Sequence, residues 1–207
     1  MDRGRDPLNI NSFKTQNFLS PEDLIQPLYD RGNFAAAGTS EIALFSLPMG
    51  SSATLIRAGA TGTFTKTLRD TNLEVAGIVP GKEFLVSGMS IGFCHTVEGA
   101  VGNPIDREKV RSGGYLIFKT GDKPVFQCPL VYIPEVNPNQ IATTTATTTT
   151  ILGAVGGGGA GMVRFGIPIA LKSMQSFSVR MLFDGTIAIA AALDIYCFLH
   201  AAMRRPT

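Results

Sequence analysis

The stretch that decides the fold covers residues 161–205 and reads GMVRFGIPIALKSMQSFSVRMLFDGTIAIAAALDIYCFLHAAMRR. Its second half repeats with a period of two, because alternate positions are apolar: Ile187, Ile189, Ala191, Leu193, Ile195, Cys197 and Leu199. A period of two predicts a β-strand with one strongly apolar face. The stretch therefore indicates a β protein.

A second alternating run precedes this strand, with apolar residues at Phe177, Val179, Met181 and Phe183. The dipeptide Asp184-Gly185 lies between the two runs and is typical of a tight turn. Residues 176–183 and 186–199 are therefore predicted to form a β-hairpin.

A membrane span is the competing interpretation, since residues 185–202 are nearly uncharged and long enough to cross a bilayer. Asp194 falls in the middle of this stretch, and the β-branched residues alternate instead of running together. Arg204-Arg205 alone is a weak flank for a span. We therefore predict a buried strand and no transmembrane segment.

Composition limits the function classes. The chain has 207 residues, enough for one domain with appendages. Only 16% of the residues are charged and the net charge is +2, so nothing favours nucleic acid or an anionic membrane as partner. The hydrophobic content of 44% exceeds what a free monomer needs, which indicates apolar contacts between subunits.

Three cysteines, Cys94, Cys128 and Cys197, are odd in number and lie inside apolar runs, as reduced core residues do. The N-terminal residues contain no apolar stretch typical of a signal peptide. We expect synthesis and folding in a reducing cytoplasm.

Residues 1–33 are polar and are predicted to form an N-terminal arm ahead of a β domain that covers residues 34–207. Ser20 can cap a helix, and Pro21 suits the first helical position. These residues predict a short helix, which Pro27 limits to about two turns. So short a helix must dock on something. Three apolar residues are the predicted intersubunit contacts: Leu24, Ile25 and Leu28. A disordered tail is the alternative.

Short apolar runs separated by Gly, Pro, Asn and Asp follow the arm, and no helix signal follows it. The predicted strands cover residues 41–47, 53–57, 62–68, 83–97, 114–119, 124–133, 141–150, 162–171, 176–183 and 186–199. About eight to ten strands without crossover helices indicate an antiparallel sandwich, barrel or jelly roll. Two long loops, residues 98–113 and 143–161, are predicted to reach a partner or a neighbouring subunit.

Two motifs resemble catalytic or cofactor-binding sites. Residues 88–92, GMSIG, match the G-x-S-x-G elbow of hydrolases, with Asp194 and His200 following in the order of a triad. That elbow requires a helix after the serine, whereas strand alternation continues through Ser90. Residues 156–161 satisfy G-x-G-x-x-G, but a strand with an early proline follows, so no helix N-terminus can hold a pyrophosphate. We predict neither a hydrolase nor a dinucleotide site.

No metal or carboxylate site is predicted either. The chain has two histidines, His95 and His200, and neither belongs to a ligand cluster. The acidic residues of the loops are predicted to be solvated surface: Glu98, Asp106, Glu108, Asp122 and Glu135. We therefore expect no catalytic, cofactor-binding or metal-binding residue and no cofactor.

Five segments follow one another in a characteristic order: LRDTNL at 68–73, PGKEFLV at 80–86, FQCPL at 126–130, IPI at 167–169 and QSFSV at 175–179. This order resembles that of jelly-roll capsid proteins from tailless icosahedral bacterial viruses, over residues 62–200. The resemblance implies one jelly roll and a place in the virion. It implies as partners further copies of the chain, other capsid proteins and an underlying membrane or inner layer. The arm is not polybasic, so direct genome binding is not expected.

Two functions from different classes remain open. The first is a structural capsid subunit, without enzyme activity, that assembles through its arm and long loops. The second is a receptor-binding or carbohydrate-binding β-sandwich, with residues 98–113 and 150–161 as its contact surface. The absence of Trp and the presence of only four Tyr weaken the second, because sugar sites use aromatic stacking.

Overall fold

The computed structural model describes residues 23–57, 59–77, 83–95, 104–136, 161–183 and 187–204. Within these ranges the chain forms eleven strands, one α-helix and one short 3-10 helix. In chain order they are β1 (Asp23–Ile25), β2 (Leu28–Phe34), β3 (Glu41–Leu44), β4 (Ser52–Arg57), β5 (Ala60–Thr65), β6 (Glu83–His95), α1 (Pro104–Ser112), β7 (Gly114–Thr120), β8 (Lys123–Pro129), the 3-10 helix (Leu130–Tyr132), β9 (Val163–Leu171), β10 (Phe177–Phe183) and β11 (Leu193–Arg204).

The larger sheet is organised around β11. On one side β11 pairs along its whole length with β6, and β6 pairs in turn with β9. On its other side β11 pairs first with β2 and then, toward its C-terminal end, with β1. All of these pairings are antiparallel.

The smaller sheet has the order β3-β10-β7-β8, again with antiparallel neighbours. Strands β4 and β5 pair with each other and form a separate hairpin. Consecutive strands of the chain therefore often lie in different sheets.

The two sheets enclose one hydrophobic core. Phe34 of the larger sheet meets Phe183 of the smaller one edge to face, with ring centroids 4.8 Å apart. The inward residues of β11 are buried, as the alternation predicts: Leu193, Ile195, Cys197 and Leu199. Full burial stabilises the fold by about 1.5–3 kcal/mol per large apolar side chain. The chain is an antiparallel β-sandwich, so the predicted all-β class is confirmed.

The predicted hairpin between residues 176–183 and 186–199 is wrong. Strand β10 lies in the smaller sheet and β11 in the larger one. Residues 187–192 are not strand, and Ile189 N donates to Ala36 O at 3.0 Å where the chain passes between the sheets. Alternation indicates which face of a strand is apolar, but it does not say which strand lies beside it.

The predicted N-terminal helix is also wrong in its described part, because residues 23–25 and 28–34 are strands. Seven residues of β2 pair with β11, from Leu28 opposite Leu199 to Phe34 opposite Leu193. These ladder pairs and the burial of Leu28 and Phe34 outweigh the local helix signals. The larger sheet therefore includes residues that the sequence assigns to the arm.

A third correction concerns residues 98–113, predicted as a loop. Residues 104–112 form α1, which begins with proline, has Asp106 in its first turn and has Lys109 and Arg111 in its last. These are ordinary helix-terminus signals. Val110 is fully buried and packs the helix on the core. Residues 137–160, which include a predicted strand and most of the second long loop, lie outside the described residues.

All three cysteines are free thiols, as predicted. Burial raises the pKa of Cys128 to about 11 and also raises the pKa of Cys197. Since the thiolate is the reactive form, these two residues are inert at neutral pH.

Candidate functional site

The β4–β5 hairpin lies on the outer face of the larger sheet, against β2 and β11. Leu55 and Ile56 of β4 are buried in this contact. The outer face of the larger sheet, opposite these residues, is made by odd positions of β2 and even positions of β11. Unlike the apolar inner face, it carries charged residues. Arg31 and Asp194 occupy two such positions, and both are buried under the hairpin.

Arg31 joins four segments of the chain. Its Nε donates to Asp194 Oδ2 at 2.5 Å, and its other nitrogens donate to Ile56 O at 2.6 Å and to Asp70 Oδ1 at 3.2 Å. The guanidinium also lies over the ring of Tyr196, 5.1 Å from the centroid. One side chain thus holds β2, β4, β11 and the segment after β5 together.

The two carboxylates beside Arg31 have further donors. Asp194 accepts from Asn33 Nδ2 at 2.6 Å and from Ile56 N at 2.9 Å. Asp70 accepts from Thr67 N at 2.8 Å and is paired with Arg57 of the hairpin. Both carboxylates are fully buried, and their bonds satisfy the requirement for partners that burial imposes.

A second buried pair lies on the inner side of β2. Asp30 accepts from Lys66 Nζ at 2.6 Å and from Phe45 N at 2.5 Å. Asp30 and Lys66 are both almost completely buried. This pair ties the end of β3 and the segment after β5 to the edge of the larger sheet.

Burial raises the pKa of Asp30 and of Asp194, although Lys66 and Arg31 respectively act in the opposite direction. Desolvation therefore outweighs the attraction of the nearby cation for each carboxyl group. Burying these two carboxylates costs free energy, and the cost rises when a charged partner is removed.

The ionic cluster, defined here as Asp30, Arg31, Arg57, Lys66, Asp70 and Asp194, has a structural role. Its carboxylates are engaged by amide, guanidinium and ammonium donors of the chain itself. Among the described residues no group of three or more His, Cys, Asp or Glu side chains could hold a metal ion. The cluster can position the hairpin, and nothing in its geometry activates a nucleophile.

Ser90 and His200 are brought together, as neighbours on β6 and β11. Ser90 Oγ and His200 Nε2 are 2.7 Å apart. The third member suggested by the motif is elsewhere: Asp194 lies six residues from His200 along β11, a distance of about 20 Å. Ser90 is fully buried in the middle of β6, and the strand continues after it to His95. The prediction that Ser90 is a strand residue is confirmed.

The remaining predicted residues are dispersed. The prediction of solvated surface is wrong for two of them: Asp106 is buried and accepts from Ala190 N at 2.9 Å, and Glu135 is largely covered and paired with Arg107. Glu108 and Asp122 are exposed. Glu98 and residues 156–160 of the glycine-rich motif fall outside the described residues, and the side chain of His95 is not described.

The three predicted intersubunit residues have different environments. Leu28 is buried in the core of its own chain, so it cannot contact a neighbour, and this part of the prediction is corrected. Ile25 is 83% exposed, and its contact with another subunit stays a prediction. The side chain of Leu24 is not described.

The His200 ring should make folding stability fall in mild acid. Burial lowers the pKa of His200 below its ordinary value of about 6.5. The unfolded chain then binds a proton more readily than the folded chain, so stability is lost as pH falls from about 6.5 through the folded pKa. The loss is a fraction of the limit of about 1.4 kcal/mol per pH unit, because solvent screens a half-exposed ring.

Urea unfolding of the wild type and of His200→Gln at pH 7.5, 6.5 and 5.5 measures this effect. Glutamine can still bond to Ser90 but does not titrate. The raised pKa values of Asp30 and Asp194 act in the opposite sense in both proteins, so the difference between the two isolates His200. Identical pH profiles would show that His200 does not contribute.

No protein-family model matches the sequence, and no curated protein matches it. Within the described residues, no helix has the length and apolar character needed to cross a bilayer. Function must therefore be argued from strand order, the ionic cluster and the exposed surface.

Sequence reasoning missed the ionic cluster. A signal was present at Asp194, which interrupts an apolar strand pattern, whereas Asp30 and Arg31 lie in a polar stretch. A charged residue inside a strand that is otherwise buried indicates a partner, because an unpaired buried charge is too costly. The partners Lys66 and Asp70 lie 36 and 39 residues away from Asp30 and Arg31, and no local pattern connects them.

Proposed function

We propose that the chain is a structural subunit of a viral capsid shell, built as a single jelly roll and without enzyme activity. The strand order is the observation that carries this proposal. In it, four antiparallel strand pairs are nested one inside the next, as in one long hairpin.

Eight strands belong to the two sheets of the sandwich if β1 is taken as an extension of β2. Taken from the outside inward, the pairs are β2 with β11, β3 with β10, β6 with β9 and β7 with β8. Rolling such a hairpin into two sheets adds contacts of β11 with β6 and of β10 with β7, and both occur. This arrangement supports the eight-stranded, two-sheet jelly roll.

The chemistry of the described residues favours a structural role. Asp194 is bonded to Arg31, and Ser90 is buried. The exposed surface, in contrast, is apolar in many places, as surfaces between subunits are. Large apolar side chains at least one-third exposed are Ile25, Leu47, Met49, Leu68, Val75, Ile105, Tyr115, Val125, Val131, Tyr132, Ile167 and Met174.

The capsid resemblance suggests where the subunit acts and what it contacts. Its partners would be further copies of the chain and other capsid proteins, above an inner layer or membrane. Assembly would use the residues before β1 together with the two regions first predicted as loops, one of which contains α1.

Assembly is tested by light scattering after size-exclusion chromatography of the purified full chain, with electron microscopy of the high-mass fractions. We expect concentration-dependent oligomers that include closed or sheet-like lattices. A monomer that persists at high concentration across salt and pH would contradict the proposal.

A binding module is the second candidate, and the exposed tyrosines favour it. Tyr115 is 37% exposed and Tyr132 is 65% exposed, on β7 and the 3-10 helix that follows β8. Exposed tyrosines are suited to stacking on sugars. A specific glycan ligand, lost in Tyr132→Ala and bound by a monomer that does not assemble, would favour this function over the first.

A further inference from the structure

Two loops at one end of the sandwich are hydrogen-bonded into one unit. Met49 N donates to Leu73 O at 2.9 Å, and Gly50 N donates to Lys66 O at 2.9 Å. Lys66 N donates back to Ser51 O at 2.8 Å. The segment after β3 and the segment after β5 therefore present one common surface.

This surface is apolar and exposed, although the loops are firmly anchored. Leu47 is 39%, Met49 46%, Leu68 63% and Val75 42% exposed, and we call these four residues the loop surface. Beneath them Phe45 and Leu73 are buried in the core. Apolar residues on an anchored loop cannot turn inward, so they stay in water unless something covers them.

The loop surface lies beside the place where the chain enters the sandwich. Asn72 Nδ2 donates to Pro27 O at 2.7 Å, and Tyr29 Oη donates to Leu68 O at 2.5 Å. Ile25, two residues before Pro27, is 83% exposed. The segment after β5, which carries part of the loop surface, is thus bonded to the start of β2.

Residues 1–22 precede this point and can reach beyond their own sandwich. Strand β1 pairs Asp23 with Arg204, so the chain traced backward from Ile25 leaves past the end of β11. Fully extended, 22 residues span roughly 75 Å, whereas β6, a strand of 13 residues, is about 44 Å long. The segment has apolar residues of its own: Leu8, Ile10, Phe13, Phe18 and Leu19.

We infer that the loop surface is the docking site for residues 1–22 of a neighbouring copy of the chain. The outward direction of β1 and the reach of the segment favour a neighbour over the chain's own loops. The inference rests on the proposed function, because it requires copies of the chain to assemble. It identifies the surface that the arm uses in that assembly.

Photocrosslinking tests the inference in the full chain. Benzoylphenylalanine in place of Phe18 is irradiated in assembled material made from equal amounts of isotopically light and heavy protein. We expect crosslinked peptides that join position 18 to residues 47–49 or 66–77, in pairs that mix light and heavy chains. Mixed pairs identify two copies, because a link within one chain is always purely light or purely heavy.

A paired variant and a matched control test the surface itself. In Met49→Ser with Val75→Ser, the yield of this crosslink should fall by about tenfold or more, since both side chains lose most of their apolar contact area. Val131→Ser, at another exposed apolar position, should leave it unchanged. Both variants change exposed residues, so near-wild-type unfolding curves verify that the fold persists.

The outcomes separate the two proposals. Assembly with crosslinks elsewhere, with none, or only within single chains overturns the docking inference and leaves the proposed function standing. A chain that never assembles overturns both. Equal loss of the crosslink in Val131→Ser and in the paired variant also overturns the docking site.

Discussion

Replacing Arg31 with methionine should lower the free energy of unfolding by about 3 to 5 kcal/mol, the cost typical of breaking a buried ion pair from one side. The guanidinium bridges Asp194, Asp70 and the carbonyl of Ile56. Methionine fills much of the same space but donates no hydrogen bond. Two carboxylates would then share fewer donors in an environment that already penalises their charge.

Equilibrium unfolding in urea, followed by near-ultraviolet circular dichroism, measures this loss. Arg180→Met is the matched control, because Arg180 also pairs with a carboxylate, Glu41, but at the surface. Its effect should be small, as it is for most exposed ion pairs. If the two variants were equally stable, the ionic cluster would contribute no more than a surface pair, and the structural role assigned to it would be wrong.

Deleting residues 1–33 should abolish folding, whereas deleting residues 1–22 should not. The longer deletion removes β1 and nearly all of β2, and with them Leu28 from the core and Arg31 from the ionic cluster. It also leaves one edge of β11 unpaired along six residues, 194–199. The combined loss is comparable with the total stability of a domain, about 5–15 kcal/mol.

Thermal melts of both truncated chains distinguish these results. Chain 23–207 should keep a cooperative transition near that of the full chain, while chain 34–207 should be insoluble or melt without cooperativity. A cooperative melt of chain 34–207 at the temperature of the full chain would mean that β2 is dispensable. Because the shorter deletion spares the sandwich, it is also the truncation suited to assembly experiments.

The N-terminal residues illustrate why the sequence was misleading there. Ser20, Pro21 and the following acidic residues are sound helix signals, but each contributes only about 0.5–2 kcal/mol. The sheet offers residues 28–34 a complete ladder with β11 and two buried apolar side chains. Helix α1 is the opposite case, since its terminal residues are helix signals but lie in a region that is rich in turn residues.

The candidate surfaces were predictable to different degrees. The strand character of Ser90 follows from alternation alone, and it was enough to argue against a hydrolase elbow. The closeness of Ser90 and His200 could not be predicted, because it depends on the register of β6 against β11. The exposure of the loop surface likewise depends on which of two nearby apolar residues, such as Leu73 or Val75, turns toward the core.

The sequence by itself determined the all-β class, the inward face of β11 and the free state of the cysteines. These properties are local, since a period of two and the spacing of residue types are written in neighbouring positions. Only the tertiary structure decided which strands pair, that residues 23–34 join the larger sheet, and that Arg31 meets Asp194 across 163 residues of chain. Such contacts depend on which strands lie side by side after folding, and no pattern along one strand specifies its neighbour.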